Sequence, residues 1–362
     1  MTGRDAAGGD TGDGGGGGDG DGGATADAEP DGTLVGDPPA PEVVTVGAAT
    51  VDRTYRVTNI PEPDGGAYAD TVAEAFGGVG ANVALASARL GRSTGLIARL
   101  GDDDVGARVA ADLDASPIDD ARVRRKSGTS THCVILRDGD GKRSIVTAGD
   151  SAKRLRLSEA DRAALAGADA AFLTAYNPDQ VHRDAIEVAR RPEAPPFVFD
   201  LSGPLAELAG RGAREETIDR WVEAADLFVV GEVAAESYLG CTGREAAAEL
   251  RSRGAGRVAV TAGPDGAVLG DGEGLHELPA FEVPVVDETG AGDAYAAALI
   301  VRWVLGGDDV HEAGRFAAAA AALNVTGDGA RGGLATRAEV ESFLAERGER
   351  GGRGGRGDRG DR

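Results

Sequence analysis

An α/β architecture with a mainly parallel sheet is predicted for residues 41–346, and three observations predict it. Short apolar runs alternate with helical patterns along this stretch, as they do where parallel strands are joined by helical crossovers. Two extended, turn-rich pieces, 51–76 and 131–146, break that rhythm early, as a small β lid leaving an α/β core would. The flanks on either side have compositions that cannot pack.

Taken in order, strands are predicted at 43–46, 95–98, 170–173, 197–199, 227–230 and 258–261. Helices fall between them at 80–90, 178–190 and 244–253, and three more close the chain at 291–305, 310–324 and 337–346. The piece 131–146 reads as a hairpin turning at Asp138-Gly139-Asp140-Gly141. Residues 1–40 hold 14 glycines and nine acidic residues, too little apolar area to offset the entropy of ordering, so disorder is expected there. Residues 347–362 place an arginine at every third position among glycines, which reads as a second disordered tail, with weak RNA binding as the alternative.

The 362 residues carry 61 acidic against 38 basic side chains, a formal charge of −23, and only three lysines. That field repels phosphate backbones, so nucleic acid is excluded as a default partner. An acidic surface spread over the whole chain looks like adaptation to high intracellular salt, with an ordinary acidic cytosolic protein as the alternative. Cys133 and Cys241 are too far apart in sequence for a ligand pair and are expected to be buried, reduced thiols. The four histidines have no neighbour at zinc spacing. No apolar run approaches a membrane span, and no apolar signal core opens the chain, so no membrane partner and a cytoplasmic location are expected.

Chemistry concentrates in two glycine-rich helix starts. The first in information is Asp287-Glu288-Thr289-Gly290-Ala291-Gly292-Asp293, followed at once by an alanine-rich helix. Small residues there let an anion approach free backbone N–H groups, and the helix dipole favours it. Asp293 then falls in the first turn, where a carboxylate can take a proton from an attacking hydroxyl. Taken alone, the same segment also suits a capped tight turn. The second start, Gly77-Gly78-Val79-Gly80-Ala81-Asn82, sets an amide in its first turn that both donates and accepts, which suits a polyol as well as it suits a cap. Asp52 follows the first strand, at the end where open parallel sheets bind ligands.

Residues 77–91 and 287–293 resemble, in order, the two signature motifs of the ribokinase-like, or PfkB-type, carbohydrate kinase family. Between them, Gly101-Asp102-Asp103-Asp104-Val105-Gly106 is similar to the family's Gly-Asp-Asp-x-x-Gly turn, and Thr261-Ala262-Gly263-Pro264-Asp265-Gly266 to its nucleotide loop. The resemblance covers roughly 43–344 and implies a three-layer fold, a mainly parallel central sheet flanked by helices with a small β lid. By that resemblance Asp293 matches the catalytic base, and Gly290, Ala291 and Gly292 the anion hole. Asp52, Gly78 and Asn82 match residues that grip substrate hydroxyls, and Thr261, Gly263 and Gly266 the nucleotide loop. Asp287 and Thr289, with Gly327 and Gly329, match a monovalent-cation site that would take K+. ATP and Mg2+ are the implied donor and cofactor, a sugar-like small molecule the acceptor, and a homodimer through the lid is a further expectation.

Three positions depart from the family pattern. Gly231-Glu232-Val233-Ala234 stands where an Asn-x-x-Glu element helps place magnesium, with Glu232 or Glu236 as substitutes. Tyr176 stands where ribokinases use an acid against ribose, and Ala318 where an asparagine often lies beside the adenine. The implied activity is ATP-dependent phosphorylation of a hydroxyl of a sugar or sugar acid, a phosphotransfer with an alcohol group as acceptor. Its rivals are a nucleoside kinase of the same fold and a catalytically inactive sugar- or nucleotide-binding protein.

Overall fold

In the computed structural model, residues 40–353 are described, with side chains through Arg347; the tails expected at 1–40 and 347–362 lie largely outside these residues. Fourteen strands are described: β1 (Val43–Val46), β2 (Thr50–Val57), β3 (Ala69–Gly77), β4 (Thr94–Gly101), β5 (Ile118–Asp119), β6 (Val123–Lys126), β7 (His132–Arg137), β8 (Arg143–Ala148), β9 (Ala170–Thr174), β10 (Phe197–Leu201), β11 (Leu227–Gly231), β12 (Val258–Thr261), β13 (Ala267–Gly270) and β14 (Leu275–Leu278). Ten of them form one sheet, ordered β14-β13-β12-β11-β10-β9-β1-β4-β5 with β6 also on β4. Pairing is parallel from β5 to β12, and only the β13–β14 edge is antiparallel.

The central strands are buried on both faces, which is why they read as continuous apolar runs. One helix layer packs around Trp221, Phe197, Phe199 and Phe228, with Trp221 Nε1 donating to Nδ1 of the buried His182 at 3.1 Å. Burial pushes that imidazole down to about 4, so it is neutral and structural. The other layer holds the alanine-rich helices Ala291–Leu299 and Val310–Asn324 against Val43, Phe172 and Leu269. The first of these continues as a π-type turn through Ile300–Val304. The last helix, Arg337–Arg353, runs past its expected end at residue 346.

A separate four-stranded sheet, ordered β3-β2-β7-β8, is the lid. Its strands come from the two stretches that broke the α/β rhythm. Because side chains alternate along a strand, register sorts its two faces: Asp52, Cys133, Thr147 and Ala75 share one, and Tyr55, Leu136, Ser144 and Val72 the other. Both cysteines are free thiols, half-buried rather than fully buried. Among the described residues no helix is long and apolar enough to cross a membrane.

Candidate active site

The carboxyl ends of the parallel strands carry the site. The helix Val79–Arg89 starts hard against the end of β1: Thr45 Oγ1 donates to the Gly80 carbonyl at 2.9 Å, and a Cβ on Gly80 would come within 2.6 Å of Gly47 Cα. Gly78 precedes it at φ 94°, where a side chain would also strike the Ala48 carbonyl oxygen. These two constraints aim the first turn, and with it the buried Asn82, across the sheet.

Asn82 and Asp293 are 211 positions apart in sequence and meet here. Asn82 Nδ2 donates to Asp293 Oδ2 at 2.7 Å. The amide cannot turn over, because Arg331 Nε donates to Asn82 Oδ1 at 2.8 Å. Arg331 is itself fixed by Asp112 (2.7 Å) and by the Gly77 carbonyl (3.0 Å). Burial pushes the Asp293 carboxyl up to about 7, and the negative charges of Asp200 and Asp52 act in the same sense; the Asn82 hydrogen bond and Arg331 oppose them. Asp293 nevertheless keeps part of its surface open to solvent. A carboxylate poised near neutrality and reachable from solvent can serve as a general base.

Asp293 is the third residue of the helix Ala291–Leu299. Gly290 caps that helix in the left-handed region at φ 80°, and a Cβ there would lie 2.3 Å from the Ala330 oxygen. Gly292 is different: a Cβ would meet nothing within 4 Å. Packing does not demand glycine at Gly292, and the open space beside it leaves the helix start accessible to an anion. Ala291 N–H is drawn to the Glu288 carbonyl at 3.3 Å, so by helix geometry Gly292 and Asp293 lead the free N–H groups.

Asp52 lies on β2, its Oδ1 accepting from Thr50 Oγ1 at 2.8 Å, and burial raises its carboxyl above the usual range. Gly77 faces it so closely that a Cβ would touch Asp52 Oδ2. Cys133 beside it is pushed up to about 12, by burial first and then by Asp52. Thr261 ends β12, and Gly263 and Gly266, both at positive φ, make the tight loop into β13, where Gly266 N–H donates to the Gly263 carbonyl at 3.2 Å.

Asp287, Thr289 and Gly329 are brought together. Asp287 Oδ1 accepts from Thr289 N (3.0 Å) and Oγ1 (2.7 Å), and Oδ2 accepts from Gly329 N (3.2 Å). The positive charge there is supplied by the lid: Arg137 sits 3.4 Å from Asp287 Oδ2 and donates to the Val286 carbonyl at 2.9 Å, and Arg143 donates to Thr289 Oγ1 at 3.2 Å. Asn324 Nδ2 takes the Thr289 carbonyl at 3.1 Å.

Four side chains at or beside the site escape sequence reasoning. Asp200, near the end of β10, accepts from Ser202 Oγ at 2.6 Å and is pushed up to about 6 by burial. The signal that marked Asp52, an acid at the carboxyl end of a strand, marks Asp200 as well. Arg331, Arg137 and Arg211 carry no comparable signal. Tyr176, just past β9, donates to Glu207 Oε2 at 2.7 Å and lies under the Arg211 guanidinium, 5.3 Å from its ring centre. Ala318 is buried in the core, away from solvent. Among the described residues no three His, Cys, Asp or Glu side chains group to hold a metal unaided. Asp200, in β10, and Glu232, which opens the helix after the neighbouring β11, offer carboxylates at the same sheet edge, and an Mg2+ that arrives on phosphates and keeps its waters needs no closed ligand set.

The pfkB family carbohydrate kinase model matches residues 40–337. An ATP-dependent ribose-1-phosphate kinase of Halopiger xanaduensis is 31% identical, over 84% of this chain and 98% of its own. Fructokinase-1 of Oryza sativa subsp. japonica is 30% identical, over 82% and 96%. The structure of Arabidopsis thaliana ribokinase complexed with ribose and ATP superposes with a TM-score of 0.71 at 27% identity, covering 84% of this chain and 99% of that one. With a ten-stranded α/β core, a four-stranded lid and a family match spanning most of its length, the chain belongs to the pfkB family of carbohydrate kinases and is a phosphotransferase with an alcohol group as acceptor.

Proposed function

We propose that the chain transfers the γ-phosphoryl group of ATP to a hydroxyl of a sugar or sugar derivative held between the lid and the central sheet. The observation that carries this reading is the pairing of Asn82 with Asp293 at the start of the glycine helix. Asp52 and Asn82 orient the acceptor. Asp293 takes the proton of the attacking hydroxyl as its oxygen bonds to the γ-phosphorus and the bond to the β–γ bridging oxygen breaks, releasing ADP. The N–H groups of Gly292 and Asp293 meet the charge on the transferring oxygens. Thr261, Gly263 and Gly266 lie on the nucleotide side. Mg2+ would neutralise the phosphates, held by Asp200 and Glu232.

A sugar is favoured over a nucleoside by the lid's register. Tyr55 and Phe76 lie on the face opposite Asp52, and Tyr68 is 74% exposed, so none of the three walls the pocket for a base. The face turned away from Asp52 carries Val72 and Val146, each more than half exposed, beside Tyr55 and Leu136, and a second copy of the chain would cover it. The test is a coupled assay with ATP and Mg2+ across ribose, ribose-1-phosphate, fructose, 2-keto-3-deoxygluconate and adenosine, with the mass in solution measured alongside. Phosphate transfer to a sugar by a dimer is expected. Transfer to adenosine alone would overturn the acceptor assignment, and a monomer at all concentrations would remove the lid dimer.

A further inference from the structure

The strongest feature that this mechanism leaves unused is a cleft of about 530 Å³ at the carboxyl ends of β9 and β10, bounded by residues 205–215 and by the start of the helix Asp179–Ala189. Five cations line it, Lys153, Arg156, Arg183, Arg211 and Arg214, against two acids, Asp179 and Glu215. In a chain of formal charge −23 such a cluster is against the trend, so the local field turns positive where the rest of the surface is negative.

The acids neutralise it only in part: Glu207 Oε2 stands 3.8 Å from Arg211 while accepting from the Tyr176 hydroxyl at 2.7 Å. Asp179 is spent on the backbone and on its own helix contacts: it accepts from Arg214 N at 3.0 Å and from Thr217 Oγ1 at 2.6 Å, and serves Arg183 (3.4 Å) and Arg214 (3.9 Å) together. Lys153 and Arg156 have no acidic partner among the described residues; Arg156 Nη1 donates only to the Leu155 and Lys153 carbonyls. Arg211 lies on the side of the cleft nearest the strand ends. Its guanidinium lies over the ring of Tyr176, the residue just past the carboxyl end of β9 at the sheet edge that carries the site.

We propose that this cleft binds the phosphate group of a sugar phosphate, with Arg211 and the cations around it as the recognition set. Guanidinium forks match the paired oxygens of a phosphate monoester, and the volume lies within the range that takes a small phosphorylated metabolite. Tyr176 fits the same purpose. Its neutral phenol adds no negative charge of its own and ties up Glu207 Oε2 at 2.7 Å, the carboxylate that also faces Arg211. Naming the acceptor as a sugar already carrying a phosphate rests on the kinase reading above; the cleft as a phosphate site does not.

The test uses the full chain in KCl of fixed ionic strength. Calorimetry with inorganic phosphate and with ribose-1-phosphate would be run on the parent, on Lys153→Gln/Arg156→Gln, whose side chains are exposed, and on Arg211→Met. The expected result is binding by the parent, weakened at least about tenfold in both variants while melting temperatures hold. If the phosphate belongs to the acceptor, kcat/KM on ribose-1-phosphate exceeds that on ribose and falls at least about tenfold in the Lys153/Arg156 variant, with ribose turnover spared. If it belongs to a separate effector, inorganic phosphate or the sugar phosphate changes turnover of an unphosphorylated sugar, and the variant loses that response. Either result supports the site. Equal phosphate binding in parent and variants, or none in the parent, overturns it, even where sugar kinase activity is present. Phosphate binding lost in the variants without transfer to any acceptor would instead overturn the kinase reading alone.

Discussion

Arg331 is the least conspicuous residue of the site in sequence and one of the most consequential in space. Its guanidinium makes three hydrogen bonds of 2.7–3.0 Å, to Asp112, Asn82 and the Gly77 carbonyl. Arg331→Met would leave all three acceptors without a charged donor. Breaking a sealed ion pair costs about 3–5 kcal/mol and an exposed one less than about 1 kcal/mol. The Arg331–Asp112 pair, 12% and 24% exposed, falls between them, at about 2 kcal/mol. The Asn82 and Gly77 oxygens add roughly 1 kcal/mol. Urea unfolding should therefore show a loss near 3 kcal/mol. With the Asn82 amide free to turn, kcat/KM should fall by on the order of 10². Arg331 also holds the Asp293 carboxyl down, so its removal should move the acid limb of kcat/KM to higher pH. Arg331→Lys should restore the limb more fully than the rate, since it returns the charge without the fork. A stability loss under about 0.5 kcal/mol, or an acid limb that stays put, would refute this account of Arg331.

The two glycines that flank Ala291 should separate fold from chemistry. Gly292→Ala should leave the melting temperature unchanged or slightly raised and lower kcat by at least about 10², because its methyl group enters the space kept for the phosphoryl group; activity within threefold of the parent would argue against that cradle. Gly290→Ala should instead lower the melting temperature, since φ 80° and the Ala330 oxygen at 2.3 Å forbid a side chain. The parent's kcat/KM should rise with pH through an apparent pKa near 7, because a base works only when ionised and Asp293 titrates at about 7; a flat profile from pH 5 to 9 would contradict it. The melting temperature should fall steeply between 2 M and 0.1 M KCl, where the Debye length grows to ~10 Å and the chain's negative charges repel one another unscreened; equal values would end the salt-adaptation reading.

The central parallel strands were legible because they are buried on both faces and read as apolar runs, as Val43–Val46 and Val258–Thr261 do to the residue. The short, partly exposed parallel pieces Ile118–Asp119 and Val123–Lys126 were not. Nor was the antiparallel edge. Ala267–Gly270 and Leu275–Leu278 are four residues each, and β14 is only partly buried, so no run stands out. The site divides along the same line. Asp52, Asn82 and Asp293 follow strand ends or open glycine-rich helices, where local backbone geometry dictates residue type. Arg331 and Arg137 act through partners 249 and 149 positions away, and nothing in their own neighbourhoods marks those distances. Asp287 and Thr289 converge as their motif implies, yet what surrounds them depends on an arginine arriving from the lid.

Asp293 is the residue on which the proposed proton transfer depends. The deciding measurement is single-turnover phosphoryl transfer by Asp293→Asn on whichever sugar the parent accepts, with sugar and ATP affinities determined separately by calorimetry. The amide keeps the shape of the side chain and cannot take a proton, so the transfer rate should fall by about 10² to 10⁴ while both affinities stay within a few fold. A transfer rate within tenfold of the parent would show that another group removes the hydroxyl proton, and that the pairing of Asn82 with Asp293 serves the fold and not the reaction.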